Sequence, residues 1–174
     1  MRLQWGFMLD DPRMTNSTFI EGYSTTGALQ YTPYWNDARI SHAHGWATGP
    51  TSSLTFYVAG VQLVSAGGAT WRIAPSLGNL KHADAGFSTS LGFFGAKTQV
   101  SERGVDLEFE TPKGTTGEVK IPVLNCKGRI VLQSLSGLCS NTVVDVGLTE
   151  AELGTVALEH VQGGKWKAAF ACDG

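Results

Sequence analysis

A mainly β fold, with an antiparallel β-sandwich in its C-terminal part, is predicted by three observations on this 174-residue sequence. Glycine supplies 22 residues, about 13% of the chain against a usual ~7%. Charged residues make up 16%, against roughly 25% in ordinary soluble domains. From about residue 70 onward, apolar residues recur at every second position in short runs, the period of a half-buried strand. Few charges and many glycines exclude a long-helix or coiled-coil protein. A hydrophobic content of 42% excludes a disordered one, because it offers enough apolar surface to offset chain entropy.

Residues before about Ala66 have a different character. They hold the aromatic residues Trp5, Phe7, Phe19, Tyr23, Tyr31, Tyr34, Trp35, Trp46, Phe56 and Tyr57, including every tyrosine of the chain. One helix is predicted here. Pro50 suits a first helical turn, and Leu54, Tyr57, Val58 and Val61 recur on one face. Gly60 weakens its last turn. A single helix among aromatic loops cannot enclose a core, so this segment needs partners.

The strand runs follow in order: Thr70–Ile73, then Val105–Glu110 with Asp106, Glu108 and Glu110 on a solvated face, then Glu118–Ile121 ended by Pro122. Gly128–Leu132, Thr142–Val146, Val156–Val161 and Lys165–Phe170 complete the set. The last two are expected to pair as a hairpin across Gly163-Gly164. Some seven or eight strands spaced about 8–12 residues apart read as a sandwich. The predicted division is therefore residues 1–65 and residues 66–174.

Thirteen Lys and Arg against fifteen Asp and Glu give a net charge of −2, so no basic face for nucleic acid or an anionic membrane is expected. No run of 18 or more uncharged apolar residues offers a membrane span. The N-terminal run Met1–Pro12 turns acidic too soon for a signal peptide. Cys126, Cys139 and Cys172 leave two readings open: one bridge, with Cys126–Cys139 the more local pair, or three buried thiols.

Two stretches carry candidate chemistry. In Asn16–Tyr23, Glu21 stands among apolar and hydroxyl residues with no lysine nearby, a setting that can raise a carboxyl pKa for acid or base work. The ordinary alternative is a carboxylate that caps a helix or accepts a backbone N–H. In Ser41–Trp46, His42 and His44 share one face if the segment is extended. No third ligand follows at zinc-like spacing, so no metal is expected. The Trp46 ring can stack on a sugar face while an imidazole bonds its hydroxyls, and the ordinary alternative is a buried, satisfied turn. Nucleophile-elbow, phosphate-loop and dinucleotide motifs do not occur, and no cofactor is expected. Asn16-Ser17-Thr18 is a glycosylation sequon that matters only in a secreted chain.

Taken in order, Trp5-Gly6-Phe7-Met8-Leu9, Ser17–Tyr23 and Ser41–Thr51 resemble the C-terminal portion of α-L-rhamnosidases of glycoside hydrolase family 78, especially the fungal six-hairpin members. Tyr57–Val61 fits the helix exit from the (α/α)6 barrel of that family, and Trp71–Leu80 fits the opening of its C-terminal sandwich. The resemblance covers about residues 3 to 95. It implies that residues 1–65 are the last loops and helix of the barrel and that residues 66–174 are the sandwich.

The resemblance also implies an inverting glycosidase, in which Glu21 matches the general base, His44 a residue touching rhamnose, and Trp5 and Trp46 the pocket wall. Inversion needs two carboxyls about 6.5–9.5 Å apart with a water beside one of them. The general acid belongs to earlier barrel helices, so this chain by itself is expected to hydrolyse little. Implied partners are carbohydrates bearing rhamnose, the rest of a barrel, or a second copy meeting the exposed N-terminal segment. The implied location is extracellular. The second reading is a non-catalytic module that binds carbohydrate or has a structural role.

Overall fold

A computed structural model describes residues 2–31, 39–135, 141–147 and 154–173. Tyr34, Trp35 and Cys139 lie outside the described residues. The chain forms two compact units, residues 1–53 and 54–174.

The first unit has little regular structure. A π-helical stretch, Arg2–Gly6, runs into helix α1, Phe7–Asp10. Met8, Ile20 and Ile40 are buried together, with Trp5, Met14, Phe19, Tyr23, Leu29 and Tyr31 packed around them. The segments around Phe19 and Ser41 lie side by side: Glu21 N–H donates to the Ser41 carbonyl at 2.8 Å, and His44 N–H to that of Phe19 at 3.1 Å. A 3-10 turn, Gly45–Thr48, leads into helix α2, Gly49–Ser53, with Pro50 buried in its first turn as its fixed φ favours.

The second unit begins with a π-helical stretch, Leu54–Val58, and then stops being helical. Gly60 takes φ +81°, and its carbonyl accepts from Ala74 N–H at 2.9 Å. A side chain there would collide with the backbone of Ala74 and Pro75, so only glycine permits this exit. Val61, expected on the helix face, instead opens strand β1, Val61–Leu63.

Among the described residues nine more strands follow: β2 (Thr70–Ile73), β3 (His82–Thr89), β4 (Gly92–Val100), β5 (Gly104–Glu110), β6 (Thr116–Pro122), β7 (Gly128–Ser134), β8 (Asn141–Val146), β9 (Thr155–Gln162) and β10 (Lys165–Cys172). They form two sheets, ordered β1-β2-β6-β9 and β3-β4-β5-β10-β7-β8. Every pairing is antiparallel except β2 with β6. One shared core joins them, with Val61, Trp71, Ile73, Val119 and Ile121 from the smaller sheet and Phe94, Leu107, Ile130, Ala168 and Phe170 from the larger. The mainly β sandwich expected from the sequence is the fold observed.

A further local expectation fails. Gly163-Gly164 does not close a hairpin. β9 pairs with β6, while β10 lies between β5 and β7, so the dipeptide carries the chain from one sheet to the other. The crossing is pinned by Gly163 N–H on the Thr115 carbonyl (2.8 Å) and Thr111 N–H on the Gly164 carbonyl (2.9 Å). The tight approach to Pro112 leaves no room for a side chain at Gly163. The structure also decides the cysteine pairing that the sequence leaves open. Cys126 is bonded to Cys172, 46 residues away, rather than to the nearer Cys139. It ties the segment before β7 to the end of β10, where Gly128 already faces Cys172 across the ladder.

The Thr98 hydroxyl is a flaw in this core. It is fully buried on β4 and has no hydrogen-bond partner among the described residues. Thr98→Val should therefore raise stability by about 1 kcal/mol, because it exchanges an orphaned polar atom for a methyl of similar volume. A lower urea midpoint for that variant would count against this account.

Candidate functional site

The Glu21 side chain is only 5% exposed, yet it is aimed by its surroundings rather than packed at random. The pairing of residues 19–21 with 41–44 sets its backbone, and Ser41 N–H also donates to its carboxylate Oε2 at 3.2 Å. Thr18 Oγ1 donates to the His42 carbonyl at 2.6 Å, fastening the same two segments one step further along. A carboxylate held by a backbone N–H keeps one oriented oxygen at little entropic cost.

His44 approaches the same oxygen, its Nδ1 3.7 Å from Oε2 and its side chain 28% exposed. The Trp46 ring lies over His44 with centroids 4.2 Å apart. Trp46 Nε1 donates to the Glu21 carbonyl at 3.0 Å, which anchors the indole while leaving the residue 72% exposed. Three of the four residues singled out from sequence thus form one cluster: a shielded carboxylate, a half-covered imidazole and an open aromatic ring. The fourth, Trp5, packs against the apolar group of Met8, Ile20 and Ile40.

Another acid of the first unit, Asp11, is held by an arginine. Asp11 accepts from Arg13 Nε at 2.7 Å, from its Nη2 at 2.9 Å and from its backbone N–H at 3.0 Å. Those bonds push its carboxyl down to about 2. A group ionised throughout the neutral range cannot serve as a proton donor there. Among the described residues, no set of three or more His, Cys, Asp or Glu side chains is placed to hold a metal ion.

Sequence reasoning passed over one member of the cluster. Ser41 acts through its backbone N–H and C=O, and a main-chain contact leaves no mark in composition or periodicity. Only the fixed distance from Ser41 to His44 and Trp46 hinted at it.

The model of the bacterial alpha-L-rhamnosidase C-terminal domain matches residues 60–132. The chain resembles the C-terminal part of an alpha-L-rhamnosidase. Two solved structures support the fold. The alpha-L-rhamnosidase from Dictyoglumus thermophilum superposes with a TM-score of 0.61 at 20% identity, over 76% of this chain and 14% of that one. The Streptomyces avermitilis alpha-L-rhamnosidase, solved with L-rhamnose, gives 0.58 at 20% identity, over 84% and 12%. An Aspergillus terreus alpha-L-rhamnosidase is matched at 21% identity with a TM-score of 0.46, over 78% and 13%. This chain therefore spans about a seventh or less of the length of the rhamnosidases it matches. A comparison with curated proteins finds no match.

Proposed function

We propose that residues 1–174 are the C-terminal part of an inverting glycoside hydrolase of six-hairpin type that releases terminal rhamnose. Residues 1–65 would be the end of its (α/α)6 barrel and residues 66–174 its accessory sandwich. In this reading Glu21 is the general base that deprotonates the attacking water, and His44 hydrogen-bonds sugar hydroxyls. Trp46, with Trp5 behind it, walls the pocket against the apolar face of a deoxysugar. The general acid would come from barrel helices outside these residues, and an extracellular location goes with the same reading.

The observation that supports it best is the clustering of Glu21, His44 and Trp46, three residues chosen from ordered motifs and separated by up to 25 positions. A carboxylate that is 5% exposed but oriented by Ser41 N–H suits a base that must hold one water in one direction. Exposed apolar side chains in the first unit, Leu3 and Trp46, suit contact with the rest of a barrel or with a second copy.

Calorimetric titration of the purified chain with L-rhamnose tests the pocket. Heat at millimolar sugar is expected, and His44→Ala should abolish it. An unchanged isotherm in that variant would sink the assignment. The purified chain should release little chromophore from p-nitrophenyl α-L-rhamnoside. Turnover that Glu21→Gln abolishes would show that the acid lies within these residues after all.

A further inference from the structure

The outer face of the six-stranded sheet carries a feature that the Glu21 cluster does not explain. On β3 and β4, Gly86 and Gly95 sit directly opposite each other, and the Phe93 ring lies across both. A β-carbon on Gly86 would stand 2.5 Å from that ring, and one on Gly95 2.6 Å. Two glycines in register thus make a floor on which one aromatic ring lies along the sheet instead of standing off it. The ring cannot reach the core, which Phe94 fills from the opposite face, and Phe93 remains 47% exposed.

Around this ring the ladder alternates in charge. Asp84 faces Lys97, which faces Glu108, and Gly95 faces Glu110, which faces Lys165. Lys165 is paired with Glu110 at 3.1 Å, so these polar ends are fixed in place. Phe93, Gly86, Gly95 and the five charged residues line an open depression of about 410 Å³.

We infer that this depression binds a sugar ring of a neutral oligosaccharide, with Phe93 as the stacking platform. The choice of ligand follows from the rim. Three carboxylates and two ammonium groups interleaved on one face oppose a ligand carrying either sign alone. A wholly apolar partner would bury ionisable groups at a cost. A sugar ring meets both conditions: its C–H face covers the aromatic ring, and its hydroxyls both donate to carboxylates and accept from lysines. A flat ring on a rigid strand pair is already ordered, so stacking on it costs little further entropy. The site lies wholly within residues 54–174 and does not depend on the role proposed for Glu21.

The test is a ¹⁵N–¹H spectral titration of the whole chain with cellotetraose, maltotetraose and a neutral rhamnan tetrasaccharide. At least one should give saturable shifts at the amides of Gly86, Gly95, Lys97 and Glu110. Phe93→Ala should weaken that binding about fivefold, whereas Phe93→Trp should preserve or tighten it. Should Phe93→Ala fail to fold, Lys97→Ala serves in its place, with an expected loss of about threefold from one missing hydrogen bond. Glu21→Gln should leave these shifts intact, which separates this site from the rhamnose pocket. Absence of saturable shifts with all three sugars overturns the inference. So do binding indifferent to both Phe93→Ala and Lys97→Ala, and broadening of these amides with protein concentration alone, which would mark a contact between copies.

Discussion

Trp71→Ala is expected to destabilise the second unit by about 3–5 kcal/mol, the usual cost of emptying a buried tryptophan site. Trp71 is 1% exposed and lies 6.1 Å from Phe109 across the sandwich, so its indole is where the two sheets meet. It also holds the turn that routes the chain between them. Its Nε1 donates to Thr115 Oγ1 at 2.8 Å, and that hydroxyl donates in turn to the Pro112 carbonyl at 2.6 Å. The next link is Gly163 N–H on the Thr115 carbonyl. Alanine removes the ring and leaves a buried hydroxyl one donor short, two penalties in one place. Trp71→Phe keeps most of the packing and should cost about half as much. Urea unfolding followed by far-ultraviolet circular dichroism, a signal dominated by the strands, provides the measurement. A loss below about 1 kcal/mol for the alanine variant would mean that the sandwich collapses around the gap.

Opening the Cys126–Cys172 bridge should cost the second unit about 2–4 kcal/mol. The bond closes a loop of 46 residues that contains β7, β8, β9 and most of β10, so the unfolded chain gains considerable freedom when it is cut. Cys172 N–H already bonds the Arg103 carbonyl at 2.9 Å, and Asp173 N–H bonds that of Lys127 at 2.9 Å. The folded end of β10 is therefore held without the sulfurs, and the effect should fall mainly on the unfolded state. Cys126→Ser/Cys172→Ser should lower the urea midpoint while leaving the folded spectrum unchanged. Reductant should do the same to the parent protein and nothing to the variant. A variant as stable as the parent would show that the bridge adds nothing to the ladder already formed.

The strands most legible in the sequence are those with β-branched or large apolar residues on one face and charges on the other. Val105–Glu110 is the clearest case, and its outward Asp106 and Glu108 both meet Lys167, at 3.2 and 3.4 Å. Those pairings raise the Lys167 pKa, chiefly through the hydrogen bond to Asp106. By contrast, β3 and β4 were illegible because their outward positions include Gly86 and Gly95, which carry no side chain to mark a face. Their ring cover, Phe93, comes from an adjacent position and restores the sheet surface without leaving a period.

The candidate site divides in the same way. Glu21, His44 and Trp46 were singled out by residue type and by the resemblance of their motifs to those of rhamnosidases, because side chains leave such a mark in a sequence. Ser41 N–H as the carboxylate's partner was not, because every residue but proline has that group.

Sequence alone determined that this chain is a glycine-rich β-sandwich preceded by an aromatic segment of another kind. Periodicity and composition act locally, and where large apolar residues alternate with polar ones they are enough to set which face of a strand is buried. Tertiary structure alone decided which strands are neighbours, that Gly163-Gly164 changes sheets, and that Cys126 reaches Cys172. Those outcomes depend on contacts between residues tens of positions apart, where the gain from shared burial overrides the local preference for a hairpin or a short loop.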